Sequence, residues 1–138
     1  MTLNRRKRVL LAENDPSVRL ALEAAVAADD LEVVAVADGA EALARARQAP
    51  PDLLIAGVRL REIDGVELCR SLRAEPSGAE TAILLLSGLS SAEDELRALA
   101  AGADRYLSKP TSVNVLRAHI RALLRWTEAE SASSAVYA

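Results

Sequence analysis

Five short aliphatic segments alternate with amphipathic ones along the chain, and this alternation constrains the fold more than any single motif. Residues 9–12, 31–37, 53–58, 82–87 and 105–108 are strand-length, and the first four are rich enough in Val, Ile and Leu to be buried on both faces, as parallel strands are. Helical spacing fills the intervals. Val18, Leu22 and Val26 share one stripe, Ala42, Leu43 and Ala46 a second, and Val66, Cys69, Leu72 and Arg73 a third. Leu96, Leu99 and Ala100 make a fourth, and Val113, Leu116, Ile120, Leu123 and Leu124 a fifth. Capping residues stand where such helices should begin: Asp15 before Pro16, Asp38, Asp64, Ser90 or Ser91, and Thr111 or Ser112. Strict alternation with short connections predicts right-handed crossovers and an α/β fold, a doubly wound parallel sheet with helices on both faces. The functional crevice of such a sheet lies beyond the carboxyl ends of its strands.

Composition narrows the possible functions. A chain of 138 residues suits one domain, expected over 1–127, with the small and polar stretch 128–138 as a flexible tail. Apolar residues make up 51% and aromatics only 2%, with no Phe, so the core is aliphatic and offers no stacking platform for single-stranded nucleic acid. A net charge of −3 supplies no overall basic field for DNA or an anionic membrane, and no segment has the roughly 18 apolar residues of a membrane-spanning helix. Arg5-Arg6-Lys7-Arg8 reads as the solvated start of the first strand rather than a leader or a nucleic-acid arm. The one cysteine, Cys69, allows no internal disulfide and fits the reducing cytoplasm; the one histidine, His119, excludes a multi-histidine metal site. Cys69 reads as a core residue, His119 as a surface or boundary residue, and Trp126 as either a contact point or a cap over the core.

The strand ends carry a series of landmarks in order. They are Glu13-Asn14-Asp15-Pro16, Asp38-Gly39, Pro51-Asp52-Leu53-Leu54-Ile55, Ile63-Asp64-Gly65-Val66-Glu67-Leu68-Cys69, Leu86-Ser87-Gly88, Gly102-Ala103-Asp104, and Tyr106-Leu107-Ser108-Lys109-Pro110. In this register, from about Arg8 to Arg125, the sequence resembles the CheY-like receiver domains of two-component response regulators. The resemblance implies a flavodoxin-like sheet of strand order 2-1-3-4-5. It also implies a phosphorylation pocket in which an aspartate after the third strand accepts a phosphoryl group, two acidic residues after the first strand hold Mg2+, and a hydroxyl and a lysine contact the phosphoryl oxygens. The match puts the acidic pair at Glu13 and Asn14, the hydroxyl at Ser87, the lysine at Lys109 and a switching aromatic at Tyr106. It further implies a cis peptide at Pro110.

The acceptor position falls on Gly57, which has no side chain and cannot form an acyl phosphate. Mg2+ favours oxygen ligands including carboxylates, and this pocket offers only Glu13, the neutral Asn14 and the Arg59 carbonyl, so Mg2+ binding is expected to be weak or lost. Other carboxylates are poor substitutes: Asp52 should lie at the far end of the third strand, and Asp15 and Asp64 suit helix caps. Lysine occurs only at Lys7 and Lys109, and the expected partner of Lys109 is Glu13.

The expectation is therefore a pseudo-receiver without catalytic activity and without a resident cofactor. It would act in the cytoplasm through protein partners, on a face formed by the fourth helix, fifth strand and fifth helix around Tyr106, Leu96, Leu99 and Leu116. A homodimer through that face, and no direct contact with nucleic acid or membrane, complete the expectation. The alternatives are a phospho-competent regulator with an unusual acceptor, and a flavodoxin-like binder of a small ligand.

Overall fold

The computed structural model describes residues 6–28, 30–88, 91–109 and 112–137, with side chains as far as Thr127. Five strands, β1 (Lys7–Ala12), β2 (Leu31–Val36), β3 (Leu53–Gly57), β4 (Ala82–Ser87) and β5 (Arg105–Ser108), form one sheet. They alternate with helices α1 (Pro16–Val26), α2 (Gly39–Gln48), α3 (Gly65–Arg73), α4 (Ala92–Ala100) and α5 (Val113–Tyr137), and a short 3-10 turn, Pro76–Gly78, precedes β4. The sheet is parallel throughout, as the alternation predicts, and its order β2-β1-β3-β4-β5 is the one the family resemblance implies.

Period-two alternation divides the core in two. Leu10, Leu54, Ile83 and Leu85 face α2, α3 and α4, where they meet Leu43, Leu68, Leu72 and Ala98. Val9, Leu11, Ile55, Leu84 and Leu86 face α1 and α5, where they meet Val26, Leu116, Ile120 and Leu123. Each fully buried aliphatic side chain contributes about 1.5–3 kcal/mol through loss of apolar surface from water. β3 and β4, flanked by strands and covered on both faces, are buried at every residue.

Three expectations need correction. β2 is an edge strand and only half-buried, although its Val-rich sequence resembles that of the inner strands. The stripe expected on α4 is exposed: Leu96 keeps 69% of its surface in water, Leu99 and Ala100 are also exposed, and Ala98 is the buried residue. An edge helix over the short β5 rests on its small residue, which lets the backbones approach closely. The last helix runs on to Tyr137, through the stretch expected as a tail; no Gly or Pro follows Pro110, and the Ala- and Ser-rich sequence keeps helical propensity.

The caps follow the sequence. Asp15 accepts from the Ser17 and Val18 N–H groups, Asp38 from Glu41, Asp64 from Glu67, and Ser91 from Asp94. The Ser112 hydroxyl accepts from the Val115 N–H at the start of α5. Ser90, Thr111 and the Pro110 peptide lie outside the described residues.

Candidate functional site

Sheet register brings the strand ends to one edge. Ala12 pairs with Ala56, Gly57 with Leu86, and Ser87 with Ser108, so the residues just beyond them, Glu13, Val58, Gly88 and Lys109, share the carboxyl-terminal rim. The Lys109 N–H donates to the Ser87 carbonyl at 2.7 Å, which ties the β5 exit to the end of β4. Ser87 itself is buried.

Glu13 is only 5% exposed, yet both its carboxylate oxygens have partners. Lys109 Nζ lies 2.5 Å from Oε1, and the Asp15 N–H donates to Oε2 at 3.1 Å. A buried carboxylate without partners would be costly, and the lysine and the turn amide compensate the burial of Glu13. Arg19, from the second turn of α1, adds a guanidinium bond to the Glu13 carbonyl at 2.8 Å.

Gly57 lies directly against this pair. A Cβ built on it would stand 3.2 Å from Glu13 Oε1 and 3.6 Å from Lys109 Nζ. A side chain there would start against the ion pair, and the Glu13 carboxylate would have to give by a few tenths of an ångström. Asn14 turns away from the pair, and its Oδ1 accepts from the Arg61 N–H at 3.1 Å, holding the loop between β3 and α3. Arg59, whose carbonyl was expected to face the pocket, is an exposed residue of the same loop.

That loop is also held from its other side. The Gly39 N–H at the start of α2 donates to the Arg61 carbonyl at 3.1 Å, and a Cβ on Gly39 would fall 1.8 Å from the Ile63 carbonyl oxygen. The Asp38-Gly39 pair, read from sequence as a turn and cap, thus contains a glycine required by close backbone approach. Next to it the Ile63 N–H bonds back to the Arg61 carbonyl around Glu62, whose φ is 70°, forming a γ-turn with positive φ at a non-glycine residue. Such conformations cost about 1–3 kcal/mol and persist only where neighbours enforce them. Sequence reasoning missed Arg19, Gly39, Arg61 and Glu62; for Gly39 alone, a glycine just after a cap, was there a signal.

The remaining expected residues separate into two groups. Tyr106 is half-buried and packs against the α2–α3–α4 side of the core, and Leu96 and Leu99 are exposed on α4 beside it. Leu116 does not belong with them. It is 1% exposed and packs under α5 against the opposite side of the sheet, because its position on α5 faces inward with Ile120 and Leu123. Asp52 lies at the far end of β3, accepting from the Arg8 N–H at 2.8 Å, and Asp15 and Asp64 are engaged as caps. Cys69 is buried, donates to the Ala101 carbonyl at 3.3 Å, and has its thiol pushed up to about 11 by burial. His119 is half-buried and Trp126 is 43% exposed.

The donor set does not suit a hard divalent cation. Glu13 is paired with Lys109, Asn14 Oδ1 accepts a backbone bond, and Gly57 has no side chain. Among the described residues no group of three or more His, Cys, Asp or Glu side chains is arranged to hold a metal, and no helix is long and apolar enough to cross a membrane.

Comparison with known proteins agrees with the architecture. The family described as "Response regulator receiver domain" matches residues 9–121. The response regulator MprA of Mycobacterium leprae is 37% identical over 129 residues, covering 94% of this chain and 56% of that protein; the MprA proteins of Mycobacterium tuberculosis are 36% identical over the same length. The chain therefore spans about half the length of these curated relatives. Among solved structures, a receiver domain of a Francisella response regulator superposes with a TM-score of 0.81 at 26% identity, covering 88% of this chain and 99% of that one. The chemotaxis response regulator CheY4 of Vibrio cholerae does so with a TM-score of 0.79 at 29% identity, covering 86% and 98%. Fold, strand-end residues and relatives agree, and the chain belongs to the receiver domains of two-component response regulators.

Proposed function

We propose that this receiver domain accepts no phosphoryl group and signals through protein contact from a conformation held by its own ion pair. One observation carries the reading: the Glu13–Lys109 pair closes over Gly57, at the position where the family resemblance puts the acceptor carboxylate. Glycine offers no nucleophile, and the lysine expected to meet phosphoryl oxygens already has a carboxylate. The donor set disfavours Mg2+, so charge neutralisation at the rim comes from Lys109. The engagement of Asp15, Asp52 and Asp64 in backbone hydrogen bonds weighs against a relocated acceptor.

On this reading the output lies in recognition without catalysis. Leu96, Leu99 and the edge of Tyr106 form the contact face of α4 and β5, available to a signalling partner or a second copy. A ligand shifts an equilibrium only by its differential affinity for two states, so with the phosphoryl input gone, partner affinity is the remaining control.

Acetyl phosphate with Mg2+, followed by intact-mass spectrometry, tests this reading. The wild type should gain no phosphoryl adduct, whereas Gly57→Asp combined with Asn14→Asp should gain one. An adduct on the wild type, mapped to any carboxylate, would overturn it.

A further inference from the structure

The opposite end of the sheet holds a second concavity. The start of β1, the loop from α1 into β2, and α5 enclose a groove of about 530 Å3, within the range of small-molecule sites. Among the described residues four cations line it, Lys7, Arg117, Arg121 and Arg125, with one carboxylate, Asp30. The three arginines recur every fourth residue and so form one row along α5. Among the described residues none of the four cations belongs to an ion pair. Arg117 is fixed by a bond from Nε to the Ala25 carbonyl at 2.8 Å, at the end of α1, which sets the plane of its guanidinium.

This row is unfavourable by itself. Like charges one turn apart repel, and the chain as a whole carries a net charge of −3. An anion bridging the row would convert that repulsion into attraction. Guanidinium groups bind phosphate through two parallel bonds, with a geometry that a lysine or a screened surface charge does not reproduce. Between the cations the lining is apolar: Ala27, Ala28 and Leu31 keep surface open to the groove, over the buried Val26, Ile120 and Leu124.

We propose that this groove binds a small phosphate-bearing molecule of the nucleotide class, its phosphates on the α5 arginine row and its ring on the aliphatic floor. The site is separated from the Glu13–Lys109 rim by the length of β1 and stands whether or not the domain is phosphorylated.

Titration of the isotopically labelled full chain by NMR tests the assignment, with ATP, inorganic tripolyphosphate, adenosine and an oligoglutamate peptide as separate probes. ATP should shift the amides of Lys7, Leu31 and Ile120. Arg121→Gln combined with Arg125→Gln should weaken ATP binding about tenfold or more through loss of charge-assisted bonds, with the dispersion of the spectrum unchanged. Arg97→Gln combined with Arg105→Gln should leave it unaltered. ATP should bind more tightly than tripolyphosphate, and adenosine should not bind. Absence of shifts with millimolar ATP, undiminished binding by the α5 variant, or tighter binding of the glutamate peptide in the groove would each overturn the proposal. Tripolyphosphate binding as tightly as ATP would overturn the role of the apolar floor and so the nucleotide class.

Discussion

Glu13 and Lys109 are 96 positions apart in the chain and meet at 2.5 Å on the carboxyl-terminal rim of the sheet, where the carboxylate is nearly buried and the ammonium partly open to water. Removing one partner of such a pair leaves the other uncompensated. Lys109→Met should therefore cost about 1–3 kcal/mol in urea unfolding, and Glu13→Gln combined with Lys109→Met should cost less than the sum of the single changes. Strict additivity would show that the two groups contribute independently.

Arg73 and Gly102 make a second long-range join. The Arg73 guanidinium donates to the Gly102 carbonyl at 3.0 Å, to Gly78 at 3.0 Å and to Thr81 at 2.6 Å, and pairs with Asp104 at 2.9 Å. Gly102 has a φ of 110°, and a Cβ there would fall 2.6 Å from Arg73 Cγ. Gly102→Ala is thus both strained and blocked, and should lower stability by about 2–4 kcal/mol. Arg73→Gln leaves several carbonyls under the helix without a donor and should cost a similar amount. Thermal or urea denaturation of the two variants provides the measurement.

The buried Cys69 thiol, pushed up to about 11, has a defined effect at alkaline pH. An unfolded cysteine ionises near pH 8.5, so above that value the unfolded chain sheds a proton that the folded chain keeps. The stabilisation is fully present below about pH 8.5 and declines as pH rises toward 11. Wild type should lose about 3 kcal/mol more than Cys69→Ala between about pH 8.5 and 11, read from urea midpoints at each pH. Parallel profiles for the two proteins would contradict the assignment.

Exposure on α4 separates folding from recognition. Leu96→Glu should alter stability by no more than about 0.5 kcal/mol, whereas Ala98→Leu, which overfills a closed site, should cost about 1–3 kcal/mol. If the α4–β5 face contacts a partner, Leu96→Glu should weaken capture of that partner without changing the circular dichroism spectrum.

Much of this architecture is legible in the sequence because inner parallel strands need uninterrupted aliphatic runs. Residues 82–87 and 105–108 coincide with β4 and β5, and the other three strands differ only at their ends. The caps at Asp15, Asp38 and Asp64 were legible for the same local reason: a short polar side chain before a helical stripe has few other uses. The convergence of Glu13, Ser87 and Lys109 followed from strand ends. Information held in tertiary approach was not legible. Leu96 and Leu116 have similar helical spacing, yet one faces water and the other the core, because α4 rests on Ala98 while α5 lies along the sheet. Arg73 fell within an apolar stripe and acts instead as a donor to four carbonyls, Gly78, Ala79 and Thr81 before β4 and Gly102 before β5, contacts that no periodicity encodes.

The aliphatic core has a practical consequence for anyone following this domain by light. With no Phe, two Tyr and one Trp, nearly all intrinsic emission comes from Trp126, half-exposed midway along α5 and more than three helical turns beyond the end of α5 nearest the Glu13–Lys109 rim. Fluorescence will therefore be a sensitive beacon for docking along α5 and nearly blind to rearrangements at the opposite edge, which call for an isotopic label or an introduced chromophore.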